Sequence, residues 1–175
     1  MEVAESWAVI EHWISRNAVA EQLPSGASVV EMDELQEDMP VHIPQDLRSS
    51  LRRHNGTGET EIIPPAFTLW GTRRILSEYV SEPFQSERVY IPIGSMGPNV
   101  LSVDSRSDRL ARYDPHYGFY AREEEVFSSS FGDILAAVAT AISGSSSTLH
   151  VSPNEAWRAT KGVGHAEGYL VWEDS

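Results

Sequence analysis

The sequence predicts an α+β fold, with N-terminal helices, a mainly antiparallel sheet and a closing C-terminal helix. Three observations predict it. Apolar residues recur at helical spacing through the first third of the chain. Short runs rich in Val, Ile, Leu and Tyr, bounded by turn residues, fill the middle. One long apolar helix pattern then follows. Helices, a meander and a helix make an α+β order rather than alternating βαβ units, which disfavours Rossmann-like and TIM-barrel folds.

Each element has a local reason. Trp7, Ile10, Trp13 and Ile14 form one stripe of an amphipathic helix, with Ser6 as its expected N-cap. Both tryptophans are expected in the core. Leu23-Pro24-Ser25-Gly26 reads as a loop. Ser28-Val29-Val30-Glu31 has the form of a capping box, Met32, Leu35 and Met39 continue an apolar face, and Pro40 ends it. Pro44 opens a third helix as its first residue, Leu47 and Leu51 face inward, and His54-Asn55-Gly56 closes it.

Glu61 to Ile63 is a short strand candidate, and Thr72 is placed to cap a helix through Tyr79. Strands are expected at Arg88 to Ile93, Asn99 to Asp104 and Asp108 to Tyr113. Asp104-Ser105-Arg106-Ser107 is turn chemistry, so the last two should form an antiparallel hairpin. Glu124 to Phe127 is a further strand candidate. Ser130-Phe131-Gly132-Asp133 starts the last helix, which buries Phe131, Ile134, Leu135, Val138 and Ile142 and stops at Gly144.

The chain then changes character, so the expected division is a domain over 1–143 and a partly irregular C-terminal extension over 144–175. Ser145-Ser146-Ser147 resembles a linker, and Asn154 to Ala159 reads as one or two helical turns. Gly162, Gly164 and Gly168 argue for irregular chain. Tyr169-Leu170-Val171-Trp172 reads either as a strand or as a docking segment.

Composition narrows the function classes. The 175 residues are 41% hydrophobic and 22% charged, which suits a globular chain. The absence of cysteine excludes disulfides, thiol nucleophiles and Cys-ligated metals. Twenty-six acids against 13 bases give a net charge of −13. That field disfavours nucleic acid and favours a basic protein partner. The N-terminus has no secretory pattern, and Ile134 to Ile142 is too short to span a membrane, so a cytoplasmic location is expected.

Ile93-Gly94-Ser95-Met96-Gly97 lacks the first glycine of a nucleophile elbow. His12, His42, His54, His116, His150 and His165 are dispersed, and Asp114-Pro115-His116-Tyr117 reads as a turn. Gly56-Thr57-Gly58 and Gly162-Val163-Gly164 lack the context of a phosphate loop. The formal sequon Asn55-Gly56-Thr57 reads as a turn. The expectation is a protein without catalysis, metal or cofactor. A hydrolase built on Asp104, Asp114 and His116 is the weakest alternative, because no motif orders those groups.

Acidic and aromatic groups remain. Glu31, Asp33, Glu34, Glu37 and Asp38 crowd the second helix without a base, with Glu31, Glu34 and Asp38 on one side. This is either a solvated face or a surface for a basic partner. Glu123-Glu124-Glu125 offers a second acidic patch. Trp70, Tyr113, Tyr117 and Tyr120 sit near turns, where they suit either a protein interface or a satellite cluster. The expected partner-binding residues are therefore Glu31, Glu34, Asp38, Trp70, Asp104, Tyr113, Asp114, His116 and Tyr117.

The ordered motifs resemble a known family. Ser6-Trp7 to Ile10-Glu11 to Trp13, Leu23-Pro24-Ser25-Gly26-Ala27-Ser28 to Glu31 to Leu35, Ile43-Pro44-Gln45-Asp46-Leu47-Arg48 and His54-Asn55-Gly56 resemble the N-terminal half of the SUKH superfamily. It includes Smi/Knr-type fungal cell-wall regulators and many bacterial immunity proteins. Tyr90-Ile91-Pro92-Ile93-Gly94, Val100 to Asp104 and Ser130-Phe131 to Leu135 resemble its second half. Pro40, Met96-Gly97-Pro98-Asn99 and residues 144–175 depart from its pattern.

The resemblance, which spans about residues 6–143, implies a SUKH-like α+β fold, no catalysis, and a bacterial role in binding and neutralising a cognate polymorphic toxin, often a nuclease. Binding of an endogenous partner as a regulatory module is the alternative.

Overall fold

The computed structural model describes residues 1–121, 130–144, 147–152 and 154–175. The expected strand at Glu124 to Phe127, the Glu123–Glu125 patch and most of the Ser145–Ser147 run lie outside the described residues.

Helix α1 spans Val3–Asn17. It starts before the expected cap, because the Glu5 carboxylate reaches back to accept the Glu2 N–H at 3.0 Å. Ser6 is thus no cap but a buried residue inside the helix. Helix α2 spans Val29–Asp38 and has the expected box: Ser28 Oγ accepts the Glu31 N–H, and the Glu31 carboxylate accepts the Ser28 N–H at 2.8 Å. Helix α3 spans Gln45–Arg53, with Pro44 at the N-cap rather than the first helical position. Gly56 lies two residues past the C-cap, at φ +83°, where Leu69–Gly71 backbone leaves no room for a Cβ.

The expected strand at Glu61 to Ile63 reduces to one bridge from Ile63 to Phe67. Pro64 and Pro65 follow without N–H groups, so no ladder extends. A two-residue strand β1, Thr68–Leu69, precedes helix α4, Thr72–Tyr79. Gly71, not Thr72, is its N-cap. Strands β2 (Tyr90–Met96), β3 (Asn99–Asp104), β4 (Leu110–Asp114) and β5 (Gly118–Ala121) complete an antiparallel sheet in the order β1-β2-β3-β4-β5. Val103 faces Leu110 across the expected hairpin.

The sheet has two unlike faces. Ile91, Ile93, Leu101, Val103 and Leu110 join the helices in one core, with Trp7, Ile10, Leu47, Ile75 and Leu135. Helix α5 (Phe131–Ser143), capped by Ser130 Oγ on the Asp133 N–H, packs along α1 and is buried on most sides. On the opposite face, Tyr90, Tyr113 and Phe119 stand together, and Phe84 folds over them. Tyr90 stacks on Phe119 at 4.7 Å between centroids, and Phe84 meets Phe119 edge-on at 5.2 Å.

The C-terminal segment corrects one expectation. Asn154 to Ala159 is not helical. Strand β7 (Glu155–Lys161) runs between β6 (Thr148–Ser152) and β8 (Leu170–Asp174) in a second antiparallel sheet. Along β7 the pairing has period two: Trp157 faces Leu149, and Ala159 faces Trp172. A short 3₁₀ turn, Gly164–Ala166, occupies the glycine-rich stretch.

This sheet is fastened to the rest. Glu21 accepts the Leu170 N–H at 2.8 Å and the Thr60 hydroxyl at 2.6 Å. The Ala20 N–H donates to the Gly168 carbonyl, and the Trp172 indole N–H to the Glu61 carbonyl at 3.0 Å.

Candidate partner-binding surface

His54-Asn55-Gly56 is a junction between helices. Arg53 donates twice to the Glu11 carboxylate, at 2.6 Å each, and His54 Nε2 meets the same group at 2.8 Å. His54 Nδ1 faces the Pro24 carbonyl at 2.6 Å, and its ring abuts Trp7. Asn55 Oδ1 accepts the Thr72 N–H at the start of α4, while its amide donates weakly to Glu31 at 3.4 Å. The motif therefore holds α1, α2, α3, α4 and the 23–28 loop in one arrangement. The sequence showed the motif as a helix stop; its partners are distant in the chain and were not legible.

The Arg53 hydrogen bonds hold the Glu11 carboxyl below the usual carboxylate range, helped by His54 and opposed by partial burial. A depressed folded value adds stability that is present above the unfolded value of about 4.3 and lost as pH falls through the folded value. Glu11→Gln is therefore expected to destabilise at neutral pH, with the gap to the parent closing on acidification below about pH 4. Urea midpoints of both proteins across that range check it; a gap independent of pH would count against the ion pair.

The expected binding residues fall on separate surfaces. On α2, Asp33, Glu34, Glu37 and Asp38 are exposed, and none makes an ion pair among the described residues. Glu31, by contrast, is committed to capping. Its carboxyl is lowered mainly by the Ser28 backbone and side-chain hydrogen bonds, with Arg73 contributing. Trp70 is 4% exposed and belongs to the core, with its indole N–H on Ser95 Oγ at 3.2 Å and Arg74 over its ring. It is not available as a surface anchor.

The remaining residues mark the sheet. Tyr113 stands in the aromatic cluster of the outer face, whose other members, Phe84, Tyr90 and Phe119, come from separate segments. Asp114 and His116 shape the β4–β5 turn, where Asp114 Oδ1 accepts the His116 N–H at 2.8 Å. Tyr117 projects from that turn, 86% exposed. Asp104 ends β3, beside the start of β4, and binds the Arg106 guanidinium at 2.7 and 3.0 Å, which lowers its carboxyl. The length of β4, roughly 13 Å, separates Asp104 from Asp114 and His116. That spacing does not assemble the three into one site.

Among the described residues, no His, Asp or Glu group is arranged to hold a metal ion, and no helix is long and apolar enough to cross a membrane.

Helices on one face of an antiparallel sheet, with an exposed acidic ridge on α2 and an aromatic cluster on the other sheet face, define the class as an α+β module. The model of the SMI1 / KNR4 family (SUKH-1) matches residues 26–137, and the chain belongs to that family. A curated relative, the glucan synthesis regulatory protein of Neurospora crassa, is 39% identical over 56 residues, covering 31% of this chain. The match spans 10% of that relative's length.

Proposed function

We propose that the protein is an immunity protein that binds and neutralises a cognate toxin domain by stoichiometric contact, without catalysis of its own. The observation that carries this reading is the unneutralised ridge of Asp33, Glu34, Glu37 and Asp38 on a chain of net charge −13. Such a ridge costs helix stability, because Asp33–Glu37 and Glu34–Asp38 are like charges four apart, each unfavourable by about 0.2–0.5 kcal/mol. A basic partner offsets that cost and is drawn in by the field. Nuclease toxins, whose surfaces are adapted to phosphate, fit that description.

The test is an affinity pull-down from the native organism, followed by calorimetry and stopped-flow binding with the recovered toxin domain. One basic domain bound one-to-one and silenced by binding is the expected result. The combined variant D33N/E34Q/E37Q/D38N is expected to slow association about tenfold at low salt, with folding intact. Unchanged association would remove the ridge from the interface. The likeness to the glucan synthesis regulatory protein favours a second reading, a regulatory module for an endogenous protein. Recovery of housekeeping proteins alone would select it.

A further inference from the structure

A surface of the opposite character lies on the seam between α1 and α5. A groove there is lined by Val9, His12, Trp13 and Arg16 of α1, and by Ile142 and Ser143 of α5. Val9 and Trp13 pack against the core on one side and remain partly open on the other. Among the described residues the lining contains no acid, although acids outnumber bases two to one in the chain. Glu5 shares the α1 stripe, one turn before Val9, but its carboxylate is turned back onto the Glu2 N–H. Arg16 makes no ion pair, and the Trp13 indole N–H no hydrogen bond, among the described residues. An apolar floor with an unpaired guanidinium at its rim is complementary to an apolar side chain beside a carboxylate.

We propose that this groove docks a short acidic segment of a partner protein, seating an apolar side chain on Val9, Trp13 and Ile142 and a carboxylate on Arg16. The occupant is opposite in charge to the basic domain expected at the α2 ridge, so the protein carries two docking surfaces with different selectivity. The net negative field slows approach of an acidic segment, which confines this contact to partners that supply local burial as well as charge.

The test uses the full chain and a panel of fluorescein-labelled, end-blocked pentapeptides, each with Leu, Ile, Phe or Trp between Asp and Glu residues. A matched panel carries Lys in place of the acids. Fluorescence anisotropy and backbone amide shifts report binding. At least one acidic peptide should bind about tenfold or more tightly than its Lys counterpart, with shifts confined to α1 and α5. Arg16→Glu should reverse that preference, and Arg16→Lys should keep it. Both lie at an exposed helix end, and urea midpoints confirm that they fold. The α2 variant D33N/E34Q/E37Q/D38N should bind the acidic peptide as the parent does, which separates this surface from the toxin contact. No binding at millimolar peptide, equal binding of both panels, or an Arg16→Glu protein with unaltered preference would each overturn the proposal.

Discussion

Gly26→Ala is expected to lose about 3 kcal/mol or more of folding stability. A Cβ at residue 26 would lie 1.9 Å from the Arg52 carbonyl oxygen and 2.7 Å from its carbon. Those atoms belong to the last turn of α3, so they have no rotamer with which to yield. The loop is equally held. The Ala27 N–H donates to the Leu51 carbonyl at 2.8 Å, and the Asn55 N–H to the Ser25 carbonyl at 2.9 Å. Relieving the clash breaks one of these bonds or moves the His54 junction. Ser25→Ala, at the exposed neighbour, is the control and should change stability by no more than about 0.5 kcal/mol. Urea denaturation followed by tryptophan fluorescence measures both. A loss below about 1 kcal/mol for the Gly26 variant would show that the loop can retreat without cost.

The second large effect is expected at Trp172→Ala. Trp172 is 6% exposed, sits opposite Ala159 and donates to the Glu61 carbonyl. Removing a buried indole costs about 3–5 kcal/mol where the site cannot collapse. Here the loss should be spatially uneven. The β6–β8 sheet reaches the rest of the molecule through α5, the Glu21 and Ala20 bonds, and this indole. Hydrogen exchange should therefore accelerate in residues 148–174 and around Glu21, while α1 and α3 keep their protection. Equal acceleration everywhere would mean that the second sheet opens only when the whole protein does.

These cases show where local chemistry sufficed. The Ser28 cap was legible because its partner lies three residues away, and the Asn99–Asp104 strand because its turns are written beside it. Trp70 was misleading because the group that satisfies it, Ser95, is 25 residues distant. Asn154–Ala159 reads as helix because its Glu and Ala are poor strand formers and only Trp157 favours a strand; pairing with β6 and β8 decides the matter. Ser6 has good capping chemistry, but Glu2 and Glu5 compete for the same helix start and win. The aromatic outer face was illegible for a similar reason. Phe84, Tyr90, Tyr113 and Phe119 are unremarkable singly and acquire meaning only in register.

The bond from Glu21 to Leu170 also bears on the time order of folding. It joins groups 149 residues apart, and the Ala20–Gly168 bond closes a loop of nearly equal size. A ribosome releases residues 18–21 well before residues 168–170, so until then the Glu21 carboxylate can accept from the Thr60 hydroxyl but not from the Leu170 N–H. Contacts of such sequence separation slow the search for the native state. The second sheet is thus expected to seal after the helices and the first sheet have packed.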